Sequence, residues 1–218
     1  MNKFLLAAAL LILLMFALSL FFFPIMPDEI ATHWNGWGQP DGFSEKSVGL
    51  FIMPSIVIFI SICLAIVPKI DPLRKNILDV ADEYYGFILV FALFFFALHG
   101  FMISFNLGQQ FDIRIIVIPG LALIIGYMGF LMSRIKRNYF IGLRTPWTLS
   151  SDAVWAKTHK LASKFFYVYA ALIFLSTAFS DYLIFVIILP AVAITTITFT
   201  YSFVEYSKEE KAKAIAKT

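Results

Sequence analysis

Apolar residues fall in six long runs separated by short polar segments. The runs cover residues 4–25, 48–67, 86–107, 115–132, 165–180 and 182–204. The first, second, third and sixth contain no Asp, Glu, Lys or Arg. A bilayer core of roughly 30 Å takes about 20 helical residues. The fourth run is slightly short, and Arg114 at its outer end can snorkel to the surface. The fifth is shorter still, and reaches spanning length by starting near Leu161 with Lys164 turned toward the headgroups. Backbone groups in lipid must bond within their own segment, so each run predicts a helix. The expected fold class is all-α: a polytopic membrane protein with six transmembrane helices.

Composition agrees. Of the 218 residues, 61% are apolar, 14% are charged and 25 are phenylalanine. A soluble globule cannot hide that much apolar surface, so part of the chain must face lipid. Disorder and fibrous repeats are excluded. A net charge of +3 is too weak to argue for direct binding of nucleic acid. The single cysteine, Cys63, excludes an internal disulfide and a cysteine metal cluster, and reads as a small apolar residue. The first run is longer than the apolar core of a signal peptide, and no small-x-small cleavage site follows, so it reads as a membrane helix.

Basic residues set the expected orientation. With both termini cytoplasmic, 15 of the 17 Lys and Arg fall inside, and only Lys46 and Arg114 fall outside. The expected location is the cell membrane, with N-in and C-in topology. The chain divides into a first half, 1–107, with an outer loop at 26–47, and a second half, 108–218, with a cytoplasmic segment at 133–160. Pro24, Pro54, Pro119 and Pro190 sit in or at the ends of helices, where neighbouring helices can bond the carbonyls they free. Gly126 and Gly129 allow a close helix contact. The fifth and sixth runs are joined by little more than Asp181, which predicts a tight antiparallel hairpin. No internal repeat is evident, which weighs against a transporter built from inverted halves.

Two hydrophilic segments carry the chemistry. In the outer loop, Asn35, Gly36 and Gly38 read as turn positions, and Pro40-Asp41-Gly42 as a tight turn. His33, Trp34 and Trp37 are rings suited to a membrane surface. His33 with Asp28 or Asp41 is a poor metal set, so no metal and no cofactor is expected. The simplest reading is a compact cap, placed where an external ligand is first met. In the inner segment, Arg134, Lys136 and Arg137 form an ordinary positive anchor. Gly142 reads as a turn and Pro146 as a block to helix. Thr148, Ser150 or Ser151 caps a helix that starts at Asp152 and runs into the fifth span. Trp155 and His159 share one face of it, as an interfacial belt with a satisfied histidine. Lys157, Lys160 and Lys164 share another, facing lipid phosphates. Arg144-Thr145-Pro146-Trp147 fits either a docking surface for a partner or a clamp on a carboxylate within the bundle.

Within the apolar runs, His99 is the one ionisable residue that lies deep, and such residues are functional candidates. A neutral histidine bonded to a neighbouring helix is the plainer reading. Thr195, Thr196, Thr198 and Thr200 can bond back to their own helix. No HExxH, GxSxG, Walker loop or intramembrane carboxylate pair is present, so no enzyme is expected.

Both loops resemble a known family. Met26-Pro-Asp-Glu-Ile, His33-Trp34-Asn35, Gly38-Gln39-Pro40-Asp41-Gly42 and Lys46 resemble the N-terminal domain of unknown function carried by the SdpI family. Asn138-Tyr-Phe-Ile-Gly142-Leu-Arg144-Thr145-Pro146-Trp147-Thr-Leu-Ser-Ser, then Val154-Trp155 and Thr158-His159-Lys160, are similar to that family's C-terminal signature. The resemblance implies an integral membrane immunity protein that confers resistance to a secreted antimicrobial peptide toxin. It also implies a signal-transducing receptor that holds a soluble transcriptional repressor at the membrane. On that basis His33, Trp34, Asn35, Gly38, Pro40, Asp41 and Gly42 are expected to meet the toxin. Asn138, Gly142, Arg144, Thr145, Pro146, Trp147, Trp155 and His159 are expected to dock the partner. The competing classes are a small-solute transporter or channel lined by His99 and the helix prolines, a membrane enzyme using a histidine, and a structural scaffold.

Overall fold

The computed structural model describes residues 2–178 and 183–216. Its elements are α1 (Lys3–Phe22), β1 (Glu29–Trp34), β2 (Pro40–Glu45), α2 (Lys46–Ile70), α3 (Arg74–Leu78) and α4 (Ala81–Asn106). They continue with α5 (Arg114–Met132), α6 (Pro146–Ser150), α7 (Asp152–Leu175) and α8 (Leu183–Ile215). A 3-10 turn, Phe23–Ile25, closes α1 at Pro24. Six helices are long and apolar enough to cross a membrane: Lys3–Ile25, Lys46–Ile70, Ala81–Asn106, Arg114–Met132, Asp152–Ala178 and Ile184–Ile215. The all-α class and the six spans agree with the apolar runs. The one addition is a two-stranded antiparallel sheet in the segment expected to be a loop. The turn expected at Asp181 lies outside the described residues.

The bundle has two polar ends. At the hairpin end, β1 sits against α2 and the end of α4, and β2 against α2. At the termini end, Asn2 donates to Asp82 at 2.6 Å, Asn76 to the Arg137 carbonyl at 2.6 Å and Ser151 to Glu209 at 2.5 Å. These bonds bring the beginning of α1, the α2–α4 connection, the 133–151 segment and the tail of α8 together.

Three buried clusters fill the interior. One joins α1, α2 and α4 through Ala8, Ile12, Met15, Val57, Ile88 and Ala92. A second joins α5, α7 and α8 through Ile118, Ala122, Tyr169, Ile173 and Ile194. The third seats the hairpin through Met26, Ile30, Leu50, Met102 and Ile103. The apolar surface left outside is extensive, with Leu20, Phe21, Phe59, Leu175 and Leu189 all more than half exposed. In water that surface would drive aggregation; in lipid it is the solvated face. α8 is the extreme case, with 6% of its apolar window buried, so it lies along the flank of the bundle.

Prolines and small residues fix how the helices meet. Pro54 and Pro68 both lie inside α2. A helical proline removes the donor for the carbonyl four residues earlier. For Pro54 that carbonyl is Leu50, and the Ser19 hydroxyl of α1 donates to it at 2.7 Å. For Pro68 it is Leu64, and the Tyr84 hydroxyl of α4 donates at 2.6 Å. In α8 the Tyr169 hydroxyl bonds the Ile187 carbonyl at 2.6 Å, beside Pro190. On α5, a Cβ at Gly129 would lie 3.0 Å from the Phe166 Cβ and 3.1 Å from the Ser163 carbonyl. At Gly126 it would lie 3.5 Å from the Ala170 Cβ. The two glycines therefore let α7 approach α5 closely, as their spacing predicts.

Candidate functional site

At the hairpin end the chain reverses over Asn35–Gln39. The Asn35 side-chain oxygen accepts from the backbone N–H groups of Trp37 at 3.0 Å and Gln39 at 3.1 Å. The Asn35 N–H donates to the Gln39 carbonyl at 2.9 Å, and Gly38 takes φ +79°, which favours glycine. Because this Asx turn is complete before Pro40, Pro40-Asp41-Gly42 forms strand β2 and not the tight turn the sequence suggested. Pro40 opens the strand, where its missing N–H breaks no ladder bond.

The reversal aligns His33 with Asp41. The imidazole Nδ1 lies 2.5 Å from Asp41 Oδ1, and both side chains are exposed. Gly42 pairs with His33, and a Cβ there would come 2.9 Å from the His33 Cβ. Among the described residues no group of three His, Cys, Asp or Glu is arranged to hold a metal. Trp34 is half-buried. Its ring packs edge-on against Phe101 and Phe105, each at 5.4 Å. Trp37 is 68% exposed and keeps the role of a surface ring. A cleft of about 350 Å³ runs beneath the hairpin, walled by Trp34, Met53, Leu98, Met102, Arg114 and Val117.

Of two residues that carry no conspicuous sequence signal, one holds the hairpin down and the other lies beneath its tip. Asn106, in the last turn of α4, accepts from the Ala31 N–H at 2.8 Å and donates to the Ala31 carbonyl at 3.0 Å. Its amide thus substitutes for a neighbouring strand. Asp112 accepts from the Arg114 backbone N–H at 2.9 Å and from its Nε at 2.8 Å. The hydrogen bond from Arg114 holds the Asp112 carboxyl below the ordinary carboxylate range. Gly38 lies directly over this pair, where a Cβ would clash with Asp112 Oδ1. The only traces in the sequence are an Asn closing an apolar run and an Asp-x-Arg before the next.

At the termini end the 133–151 segment is folded around buried polar groups. Asn138 is fully buried, and its amide bonds four backbone groups of its own loop, at Lys136, Phe140 and Ile141. Asp71, also buried, accepts from the Tyr139 N–H at 2.8 Å and the Leu73 N–H at 2.6 Å. His159 and Trp155 are 2% exposed and stack with centroids 3.9 Å apart. His159 Nε2 accepts from the Leu143 N–H at 3.0 Å, and Nδ1 donates to the Trp155 carbonyl at 2.9 Å. A backbone N–H can only donate, so this ring is neutral with its proton on Nδ1. Gly142, at φ +106°, presses against the ring, where a Cβ would clash with Nε2. Trp155 Nε1 donates to the Ile135 carbonyl at 2.9 Å. The pair is therefore a core element that pins the loop, and not an interfacial belt.

Thr145 and Thr148 form a capping box around α6, and Pro146 is its first helical residue, so this proline starts a helix. Ser151 caps α7 by accepting from Val154 N–H. Thr145 meets Ser202 of α8 at 3.0 Å, and Trp147 packs against Phe199 and Phe203. Arg137 donates to Asp152 at 2.6 Å and to the Leu149 carbonyl at 2.8 Å. Lys136 bonds Asp79 at 2.7 Å, which holds the Asp79 carboxyl below its ordinary value. Lys157 does not face lipid phosphates freely, because it donates to Glu205 of α8 at 2.7 Å. Arg144 is exposed and donates to the Tyr139 carbonyl at 2.7 Å; among the described residues no carboxylate pairs with it. Tyr139, Phe140, Arg144 and Pro146 are thus the exposed part of the motif, while Asn138, Gly142, Trp155 and His159 face inward.

His99 is fully buried in α4, with Nε2 at 3.0 Å from the Ser19 hydroxyl. Ser19 gives its proton toward the Leu50 carbonyl, so it joins α1, α2 and α4 at one point. Thr195 and Thr198 bond back to their own helix, as expected.

Six apolar helices, an ordered cap at one end and a pinned motif segment at the other define a polytopic helical membrane protein with two structured faces. Residues 134–202 match the SdpI/YfhL protein family, and residues 10–58 match a domain of unknown function, DUF1648. The chain is also 27% identical over 200 residues to immunity protein SdpI of Bacillus subtilis (strain 168), covering 91% of this chain and 93% of that one. The chain is thus similar to the SdpI/YfhL family over its C-terminal motif segment and to DUF1648 in its N-terminal part. No solved structure matches it significantly.

Proposed function

We propose that this protein is an immunity protein of the cell membrane that confers resistance to a secreted antimicrobial peptide toxin. What supports this reading most is the likeness to an immunity protein along 91% of the chain, with both motif loops built into ordered structures. Both termini lie in the cytoplasm, as the distribution of Lys and Arg favours, and the hairpin end faces outward. The exposed face around His33, Asn35, Asp41 and Gly42 meets the toxin at the membrane surface.

In the same reading, toxin binding shifts the bundle, and the exposed inner residues Tyr139, Phe140, Arg144 and Pro146 hold a soluble repressor. Asn138, Gly142, Trp155 and His159 shape that face from behind. A ligand drives such a shift only by differential affinity for the two states.

The test is membrane potential in a toxin-sensitive strain that lacks its own immunity protein. With this protein inserted, the potential should survive challenge by the family's peptide toxin. Collapse despite correct insertion overturns the reading and directs attention to solute flux. Arg144→Ala should keep protection and lose repressor recruitment; equal recruitment overturns the docking half.

A further inference from the structure

The two edges of the hairpin are treated differently. Glu29 pairs with Glu45, Ile30 with Ser44 and Ala31 with Phe43, and the Lys46 N–H donates to the Asp28 carbonyl at 2.9 Å. In an antiparallel ladder, bonded and non-bonded pairs alternate. The Asp28–Lys46 bond therefore makes Ile30–Ser44 the next bonded pair and leaves Ala31–Phe43 non-bonded. The backbone groups of Ala31 point away from β2, as the Asn106 amide clasping both of them requires. Those of Phe43 must then point away from β1.

Among the described residues nothing covers them. Every residue of β2 is exposed or half-exposed, and the strand meets no described element besides β1 and the helix α2 that continues from it. The Phe43 side chain stands 56% exposed on that edge. Natural sheets guard such edges with lysine, proline or an inward charge. Here the proline lies at the far end, at Pro40, and no lysine lies within the strand.

We propose that the open edge of β2 receives an extended segment of the peptide ligand as a third strand. The N–H and C=O of Phe43 bond its backbone, and the Phe43 ring packs on an apolar side chain. An N–H and a C=O presented together along a strand edge are matched in spacing and polarity by another extended peptide backbone. Asn106 closes the opposite edge, so addition takes place on one side only. This inference rests on the immunity reading and specifies how that site holds its ligand.

The test is backbone hydrogen exchange on the full chain in lipid nanodiscs, with and without the family's peptide toxin. The Phe43 amide should slow by at least about tenfold with toxin, and the Ser44 amide, already in the ladder, should not change. Phe43→Pro, which lacks the N–H, should lose protection of membrane potential, and Phe43→Ala, which keeps the N–H and loses only the ring contact, should fall between Phe43→Pro and wild type. If Phe43→Pro fails to insert, the wild-type exchange measurement still decides. Protected cells with unchanged Phe43 exchange overturn strand addition and leave the immunity reading standing. Loss of potential with wild-type protein overturns both. Slow Phe43 exchange without toxin, together with a dimer cross-linked through Phe43→Cys, assigns the edge to a second copy and overturns the inference.

Discussion

The Tyr84 hydroxyl donates to the Leu64 carbonyl at 2.6 Å, which is the carbonyl that Pro68 leaves without a helical donor. The proline takes a bond out of α2, and a tyrosine from α4 restores it. The Ser19–Leu50 bond does the same for Pro54. Each links two helices through a backbone group that lipid cannot satisfy. Tyr84→Phe and Ser19→Ala should each destabilise the bundle by about 1–3 kcal/mol, the cost of an unsatisfied buried carbonyl. Unfolding in mixed micelles measures this. No loss in the single variants, or full stability of Tyr84→Phe with Pro68 present, sinks the account.

Gly142→Ala should disorder the motif segment at the termini end. The new methyl would clash with His159 Nε2 on a backbone at φ +106°. Strain of this kind costs roughly 1–3 kcal/mol before the displaced ring is counted. His159→Ala should act through the other side of the same contact, by leaving the Leu143 N–H unpaired. Exchange of the Leu143 amide should quicken in both variants while the α4 amides stay slow. Unchanged Leu143 exchange in either would show that the contact does not hold the loop.

Asn106→Leu should free the hairpin without unfolding the helices. It removes both bonds to Ala31, each of them worth about 0.5–1.5 kcal/mol net. Limited proteolysis should then cut within 26–47 at a rate at which wild type is intact, with thermal unfolding of the bundle little changed. Equal resistance would mean that cluster packing around Ile30 and Leu50 alone seats the sheet.

Acid should loosen the hairpin tip through Asp112. Arg114 depresses the Asp112 carboxyl, so this pair contributes stability above the unfolded-state value of about 3.9 and loses it as pH falls through the lower folded value. The side chain is 39% exposed, which screens the effect and keeps it small. Wild type should therefore show extra protease sensitivity at Asn35–Gln39 in that acid range. Asp112→Asn should show it already at neutral pH and gain none on acidification. A pH dependence retained in Asp112→Asn would place the titrating group elsewhere.

The arrangement of side chains within each end is the least legible part of the sequence. His33, Asn35, Asn138, Gly142 and Trp155 are all conspicuous by type, yet type does not reveal direction. His159 reads as an interfacial ring or a docking residue until Leu143 is placed against it. Lys157 reads as a lipid anchor until Glu205 arrives from 48 residues away. Asn106, Asp71 and Asn76 are inconspicuous, because their partners are backbone groups of distant loops, and a backbone group leaves no trace in residue type.

The sequence by itself determined the features that local chemistry dictates. Runs near bilayer length with almost no charge must be helices, because lipid offers the backbone no partner. Gly126 and Gly129 announced a close helix contact, and Thr148, Ser150 and Ser151 a helix start that Ser151 caps, since each acts within a turn or two of its own position. The tertiary structure decided the rest. It turned Pro40-Asp41-Gly42 into a strand, since the Asn35 side chain had already closed the turn. It chose Ser19 and Tyr84 to answer the prolines of α2, and it sealed one hairpin edge with Asn106 and left the other open. Those outcomes depend on which distant groups arrive at hydrogen-bonding distance, and that is fixed only when the helices pack.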